Sequence, residues 1–281
     1  MPAAFVTGAS TGIGLACALR LHRDGWHVFA GVRRESDAEA LAARAADRMI
    51  PVRCDVTDEA SVVAAAETVA AGLGRQRLAG VVNNAGVAIG GPVEHLPLDY
   101  WRRQLEVNVV GQVAVTQAFL PLLREGWGRV VFVGSNSGLL ATPMMAPYSA
   151  SKFAIEALAD SLRIELSDWD LPVSLIEPGA VRTAIWDKGR ALADELEAVL
   201  PPIATERYGR WIAVIRKGID EQDRTGVDPD VVARAVAHAL QATRPRPRYL
   251  VGLDARLTAV VARLPVRLRD LVVLANVEHM V

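Results

Sequence analysis

Two hydrophobic periodicities alternate along the first half of the chain. Short, nearly continuous apolar runs, Ala3–Thr7, His27–Val32, Ile50–Arg53, Leu78–Asn83 and Arg129–Gly134, read as strands buried on both faces of a parallel sheet. Between them Ile13–Arg23, Asp37–Asp47 and Glu59–Ala71 repeat their apolar residues at helical spacing. Gly25 stands where the first helix must stop, and Asp58 can cap the start of the third. Beyond the midpoint a helix from about Tyr148 to Ser167, a strand Pro172–Ile176, a helix Asp230–Ala242 and a strand Tyr249–Gly252 continue the alternation. Such a pattern predicts right-handed βαβ units and an α/β fold with a doubly wound parallel sheet. No linker or repeat divides residues 1–281, so a single domain is expected. Residues 183–226 break the alternation with a helical insertion, and 253–281 form a helical tail. Within the tail, Leu253–Leu274 reads as amphipathic and carries Arg256, Arg263, Arg267 and Arg269.

Composition narrows the function by exclusion. Lys plus Arg is 31 against 32 Asp plus Glu, a net charge of −1 that gives nucleic acid no electrostatic reason to bind. Cys17 and Cys54 form no C-x-x-C pair and read as reduced core residues. The histidines, His279 among them, show no metal-ligand spacing and read as surface or packing residues, so no metal is expected. A strand begins almost at once, leaving no room for a signal peptide, and no membrane-spanning stretch is evident. A cytoplasmic protein is the expectation. The tail is expected to pack on its own domain or a partner subunit rather than on a membrane.

Candidate chemistry starts after the first strand, where Thr7-Gly8-Ala9-Ser10-Thr11-Gly12-Ile13-Gly14 runs into a helix. Glycines there allow a sharp turn and close approach to a phosphate, and the new helix turns its free N–H groups and positive dipole end toward the anion. The sheet and loop together are of Rossmann type, although the spacing G-x-x-x-G-x-G departs from the usual dinucleotide fingerprint. The end of the second strand, where NAD enzymes place an acid, reads Arg33-Arg34. Two arginines there suit a 2′-phosphate, so NADP(H) is expected, with NAD(H) as the alternative. The same arginines also suit a solvated strand end. Asp55 and Val56, after the third strand, are placed to meet the adenine.

Tyr148-Ser149-Ala150-Ser151-Lys152 puts a phenol and an ammonium on one helical face. The cation should lower the tyrosine pKa from ~10 toward neutrality and make it an acid/base near pH 7. With four Tyr and three Lys in 281 residues, chance would give this spacing roughly 0.04 times. Ser135 ends a strand at the sheet's carboxyl edge, where ligands bind, and can hydrogen-bond a substrate oxygen or merely cap a turn. Another strand ends in Asn83-Asn84-Ala85-Gly86.

Taken together, Thr7–Gly14, Asn83–Gly86, Ser135, Tyr148/Lys152 and Pro178-Gly179 resemble, in order, the motifs of the short-chain dehydrogenase/reductase family, in its shorter subclass. The resemblance covers Phe5 to about Thr183. It implies Tyr148 as acid/base, Ser135 orienting the substrate oxygen, and Lys152 lowering the phenol pKa and bonding the nicotinamide ribose. It also implies that Asn108, in Glu106-Val107-Asn108-Val109-Val110-Gly111, anchors a relay water. From propensity alone Asn108 is a mid-helix oddity. Gly8, Ser10, Thr11, Gly12, Ile13, Gly14, Asn84, Ala85, Gly86, Pro178, Gly179, Val181 and Thr183 would line the cofactor. Thr11 stands where NADP enzymes of the family often carry a basic residue, so the NADP expectation rests on Arg33 and Arg34.

Around the nicotinamide end the available side chains, Leu139, Met144, Met145 and Trp186 among them, are apolar. The helical insertion supplies more, as a pocket wall, as a lid, or as both. Phe153–Glu177 and the insertion resemble the retinol and 17β-hydroxysteroid dehydrogenase branch, which implies a lipophilic alcohol or ketone. Family analogy further implies a homodimer or homotetramer through helices around Val107–Leu123 and Ala150–Leu166. The rival reading is a silent NADP sensor on the same fold, but such relatives generally lose the tyrosine or lysine. An epimerase would carry a different glycine motif and a longer C-terminal domain.

Overall fold

A computed structural model describes residues 1–43 and 48–278. Its centre is one sheet of seven strands, β1 (Ala3–Val6), β2 (His27–Val32), β3 (Met49–Arg53), β4 (Leu78–Asn83), β5 (Val130–Val133), β6 (Val173–Pro178) and β7 (Arg248–Val251). Their order is β3-β2-β1-β4-β5-β6-β7, and every pairing is parallel. The order reverses between β1 and β4, which opens a crevice beyond their carboxyl ends.

Alternation along β1 divides the core. Ala4 and Val6 face one layer, which α1 (Gly12–Arg23) and α9 (Pro229–Gln241) cover with Cys17, Leu21, Val232, Val236 and Leu240. Ala3 and Phe5 face the other, built with α3 (Glu59–Leu73), α5 (Gly111–Gly126) and α6 (Ala146–Glu165). Phe5 and Phe119 stack there with ring centroids 4.3 Å apart. Gly25, at φ +89°, turns the chain out of α1, and the Asp58 carboxylate caps α3 by accepting from Ala60 N (3.0 Å) and Ser61 N (3.3 Å). α2 (Glu35–Ala42) starts two residues before the expected position. The expected end of that helix, 44–47, lies outside the described residues, as does His279.

Two expectations need correction. α4 (Leu98–Leu105), a π-turn (Glu106–Val110) and α5 join into one helix, Leu98–Gly126, whose length and apolarity alone would suit a membrane span. Val115, Phe119 and Leu123 are fully buried in the core, which accounts for the apolar content of its second half. The tail is not amphipathic in the expected sense. α10 (Leu253–Val261) buries Ala255 but exposes Leu257 and Val260, while α11 (Val266–Glu278) carries apolar residues around its whole circumference, most of them exposed.

The insertion is a helical hairpin, α7 (Ile185–Val199) and α8 (Pro202–Thr225). Leu192 and Leu196 pack on Ile89, Leu96, Tyr100 and Trp101, the segment that follows β4. Polar contacts fasten it: Tyr100 Oη donates to Glu195 (2.8 Å), and Arg207 Nη1 and Tyr208 Oη both donate to Glu94 (2.7 Å each).

Candidate active site

The turn after β1 is held by a few strong constraints. Gly8 and Gly12 adopt φ of +64° and +58°, and a Cβ on Gly14 would collide with the Gly8 carbonyl oxygen and the Asn84 amide. Thr7 Oγ1 accepts from the backbone of Asn84 (2.9 Å) and Ala85 (3.0 Å), and Asn84 Nδ2 donates back to Thr7 O (2.9 Å). Ala9 N donates to Gly31 O (2.9 Å), tying the turn to β2. Thr11 starts α1 without any side-chain cap, unlike Asp58 at α3, so the first N–H groups are left to an anion. That cradle, too narrow for a Cβ, fits a dinucleotide phosphate.

The other expected cofactor residues converge on it. Thr183 touches Gly12, and Gly86 lies against Asn108 Oδ1. After Pro178, Gly179 N donates to Val251 O (3.0 Å), and Asp254 Oδ2 accepts from Ala180 N (2.6 Å) so closely that Gly179 has no room for a Cβ. Val181 is buried and bridges to Val227. Val56 is buried against Gly111, and Asp55 Oδ1 is already engaged by Thr57 N (3.1 Å) and Oγ1 (2.7 Å). Arg33 and Arg34 are exposed at the end of β2 and form no ion pair among the described residues. Ser10 and Ile13 complete the turn.

Ser135, Tyr148 and Lys152 meet at the carboxyl edge of β5. Ser135 and Lys152 are buried, and Lys152 Nζ lies 5.7 Å from the Tyr148 ring centroid while donating to Val133 O (2.9 Å). Burial pushes the phenol above its usual range, and a hydrogen bond with Ser135 works in the opposite direction. The expected lowering of Tyr148 by its lysine is therefore not what the protein alone shows: the cation is displaced toward the Val133 carbonyl and desolvation wins. Burial also lowers the lysine to about 8, opposed by the carboxylate of Glu156. Asn108 sits in the π-turn, fully buried; its amide accepts from Val87 N (2.8 Å) and donates to Val87 O (2.9 Å) and Ser151 Oγ (3.1 Å). A π-turn at such a position is a frequent mark of a functional site.

The four expected substrate residues each have contacts of their own. Met144, at φ +66°, accepts from Gly91 N (2.6 Å), and Met145 Sδ packs on Gly90. Trp186 Nε1 is committed to Val181 O (2.7 Å). Leu139 lines a cleft of about 690 Å³ against β7 and α10, together with Glu177, Arg248, Arg256 and Arg263. Among residues the sequence did not single out, Gln104 is fully buried and holds Ile89 N (2.7 Å) and Val87 O (2.9 Å), repeating one turn earlier what Asn108 does. The i, i+4 pair of amides in an apolar helix could have announced it. Asp254 had no such signal.

A phosphate cradle at the switch point, with a buried serine, phenol and ammonium beside it, is suited to hydride exchange with a proton transfer at one oxygen. The family model for the short chain dehydrogenases matches residues 2–193. A human retinol dehydrogenase 5 is 40% identical over 278 residues, 95% of this chain and 86% of that protein. The NADPH-dependent 3-dehydrocapnine reductase of Ornithobacterium rhinotracheale is 37% identical, covering 89% and 87%. A bovine 17-beta-hydroxysteroid dehydrogenase type 6 is 36% identical, covering 95% and 86%. A solved Burkholderia phymatum short chain dehydrogenase/reductase in complex with NAD superposes with a TM-score of 0.77 at 25% identity, over 96% and 94% of the two chains. The chain belongs to the short-chain dehydrogenase/reductase family and is an NAD(P)-dependent oxidoreductase acting on CH–OH/C=O groups. Within that family it falls in the retinol and hydroxysteroid dehydrogenase branch.

Proposed function

We propose that the protein interconverts a lipophilic secondary alcohol and its ketone, with NADP(H) preferred over NAD(H). The observation that carries this reading is the meeting of Ser135, Tyr148 and Lys152 beside the uncapped glycine turn. When bound, a nicotinamide dinucleotide would supply the hydride donor or acceptor. Ser135 Oγ orients the substrate oxygen, Tyr148 Oη gives it a proton or takes one, and Lys152 supplies the positive charge that favours the phenolate. The Asn108 and Gln104 amides hold the Val87–Ile89 backbone, which floors the site. Gly8–Gly14, Asn84–Gly86 and Gly179–Thr183 would hold the dinucleotide.

Arg33 and Arg34, free of ion pairs among the described residues, support a 2′-phosphate, and the capnine-type relative is NADPH-dependent by name. Met144, Met145, Val87 and the latched α7–α8 hairpin support an apolar, water-excluding site, as do the retinol and steroid relatives. Apolar residues exposed on α6, Phe153 and Ile164 among them, support a homo-oligomer. The thiols of Cys17 and Cys54, unpaired, buried and each pushed up to about 12, suit a reducing cytoplasm.

The test is absorbance at 340 nm, wild type against Tyr148→Phe, with NADPH and NADH and a panel of steroid, retinoid, aryl and small ketones. NADPH oxidation that depends on Tyr148 and is fastest with lipophilic ketones is the expected result. Cofactor binding without turnover in either direction would move the reading to a sensor. Small polar ketones outrunning all lipophilic ones would overturn the substrate class.

A further inference from the structure

Two turns below Tyr148 on α6 lies a buried charge cluster that the proposed chemistry does not use. Glu156, from α6, and Glu177, from β6, are 9% and 1% exposed and share one donor, Arg248 Nη1. Glu156 Oε1 and Glu177 Oε2 are both buried without a donor. An ionised carboxylate only accepts, so two of them facing each other leave lone pairs stranded; one shared proton turns one group into a donor.

Their counterion is Arg248, on β7. Its Nη1 bonds Glu156 and, at 3.3 Å, Glu177 Oε1, while its Nη2 bonds Asp160 at 2.8 Å. Asp160 is shared with Arg163 on the same helix (3.2 Å). The segment 136–138 that packs on α6 brings no ionisable group. Tyr249, beside Arg248, is committed to His238 (2.9 Å), and Arg246, Arg256 and Arg263 line the solvent cleft that reaches Glu177.

The charges of this set explain what the pair can do. With Lys152, Arg163 and Arg248 positive and Asp160 negative, the group is neutral in two ways. Either Tyr148 is a phenol and both glutamates are ionised, or Tyr148 is a phenolate and the glutamates hold one proton. Lys152, Glu156 and Glu177 are buried while Asp160, Arg163 and Arg248 are 38–48% exposed, so these two arrangements are favoured modestly, and below about pH 7 a proton also sits on the glutamates beside a neutral phenol.

We propose that Glu156 and Glu177 form a second proton-holding site behind Lys152, which takes up a proton from the Arg-lined cleft when Tyr148 loses its own and releases it when Tyr148 regains one. The coupling is electrostatic, so no proton travels along α6 and no other co-reactant than solvent protons is needed. The two glutamates are positioning residues that act through Lys152, and the proposal rests on Tyr148 as the acid/base. Burial and the neighbouring carboxylate hold Glu177 up to about 7, the range in which such exchange would occur.

The size of the effect follows from the helix. Tyr148 and Glu156 are eight residues apart, about 12 Å along the axis. At an effective dielectric of ~20, one charge at that distance is worth about one pKa unit. Glu177→Gln leaves a single fixed charge on Glu156, so phenolate formation no longer needs a compensating proton. The acid limb of kcat for alcohol oxidation should move about one pH unit lower, Glu156→Gln should do the same, and Glu177→Asp should restore the wild-type limb.

Infrared spectroscopy of the wild type gives a reading that needs no variant and no turnover. With Tyr148 still a phenol, a protonated carboxyl band should be present at pH 6 and fade as pH rises past about 7, and ionising Tyr148 should carry that fade about one pH unit higher. Gln variants that lose stability or kcat while keeping the acid limb in place, or a wild type without that band, would overturn the proposal and leave a static ion-pair cluster. An inactive Tyr148→Phe supports the acid/base reading independently, and an active one would sink that reading while the infrared band still reports on the pair.

Discussion

Burial pushes the Tyr148 phenol up and the Lys152 ammonium down, so each resists its charged form alone and the pair is favoured only when both ionise together. Replacing Lys152 with Met should therefore move the acid limb of alcohol oxidation upward and lower kcat at pH 7 by about 10²–10⁴, read from kcat against pH. Arg33 should behave as a reader of one phosphate: Arg33→Ala is expected to raise the KM for NADPH by roughly ten- to a hundredfold, about 1.5–3 kcal/mol, and to leave NADH unchanged. Gly14→Ala should cost about 1–3 kcal/mol in chemical denaturation and weaken both cofactors, because a Cβ meets the Gly8 carbonyl. These residues were legible in the sequence because their relations are short: i, i+4 for Tyr148 and Lys152, six residues for Gly8 and Gly14. Glu177, Arg248 and Asp254 were not, because their partners are brought close only by the sheet, 71 residues away for Glu177 and Arg248.

Between elements, the loop after Pro178 depends on the first turn of α10. Asp254 accepts from Ala180 N and shapes the chain over Gly179, so Asp254→Ala leaves a part-buried N–H unpaired. A loss of about 1–3 kcal/mol is expected by denaturant titration, with a larger rise in cofactor KM than in substrate KM. The latch of Glu94 with Arg207 and Tyr208 is exposed, so its worth to stability is small. The strands and most helices were visible because apolar periodicity is strong wherever a face is buried. The π-turn was hidden, because Glu106 and Asn108 look like flaws in a helix until Asn108 is seen holding Val87. The tail misled for the opposite reason: apolar spacing implies a covered face only when something covers it.

Over the whole molecule, the two apolar layers are closed while α11 and part of α6 are not. Ile164, 66% exposed, is a probe of the faces expected to pair. Ile164→Glu should leave the melting temperature within a few degrees and reduce the mass seen by light scattering if α6 lies in the oligomer interface. Deleting 266–281 should likewise cost little stability, since α11 buries little, and liposome flotation of the two forms tests the tail against a membrane.

The glycine turn is finished by residues from a later part of the chain. Thr7 Oγ1 and Gly14 are set by Asn84, which follows Thr7 by 77 residues. During synthesis the phosphate-binding turn would therefore leave the ribosome long before it could work, with β1 lacking its neighbour and Thr7 its partner. Nucleotide could stabilise the nascent chain only after β4 has emerged, so translation arrested before residue 84 should yield a chain whose protease resistance is indifferent to NADP, and arrest well beyond it a chain that NADP protects.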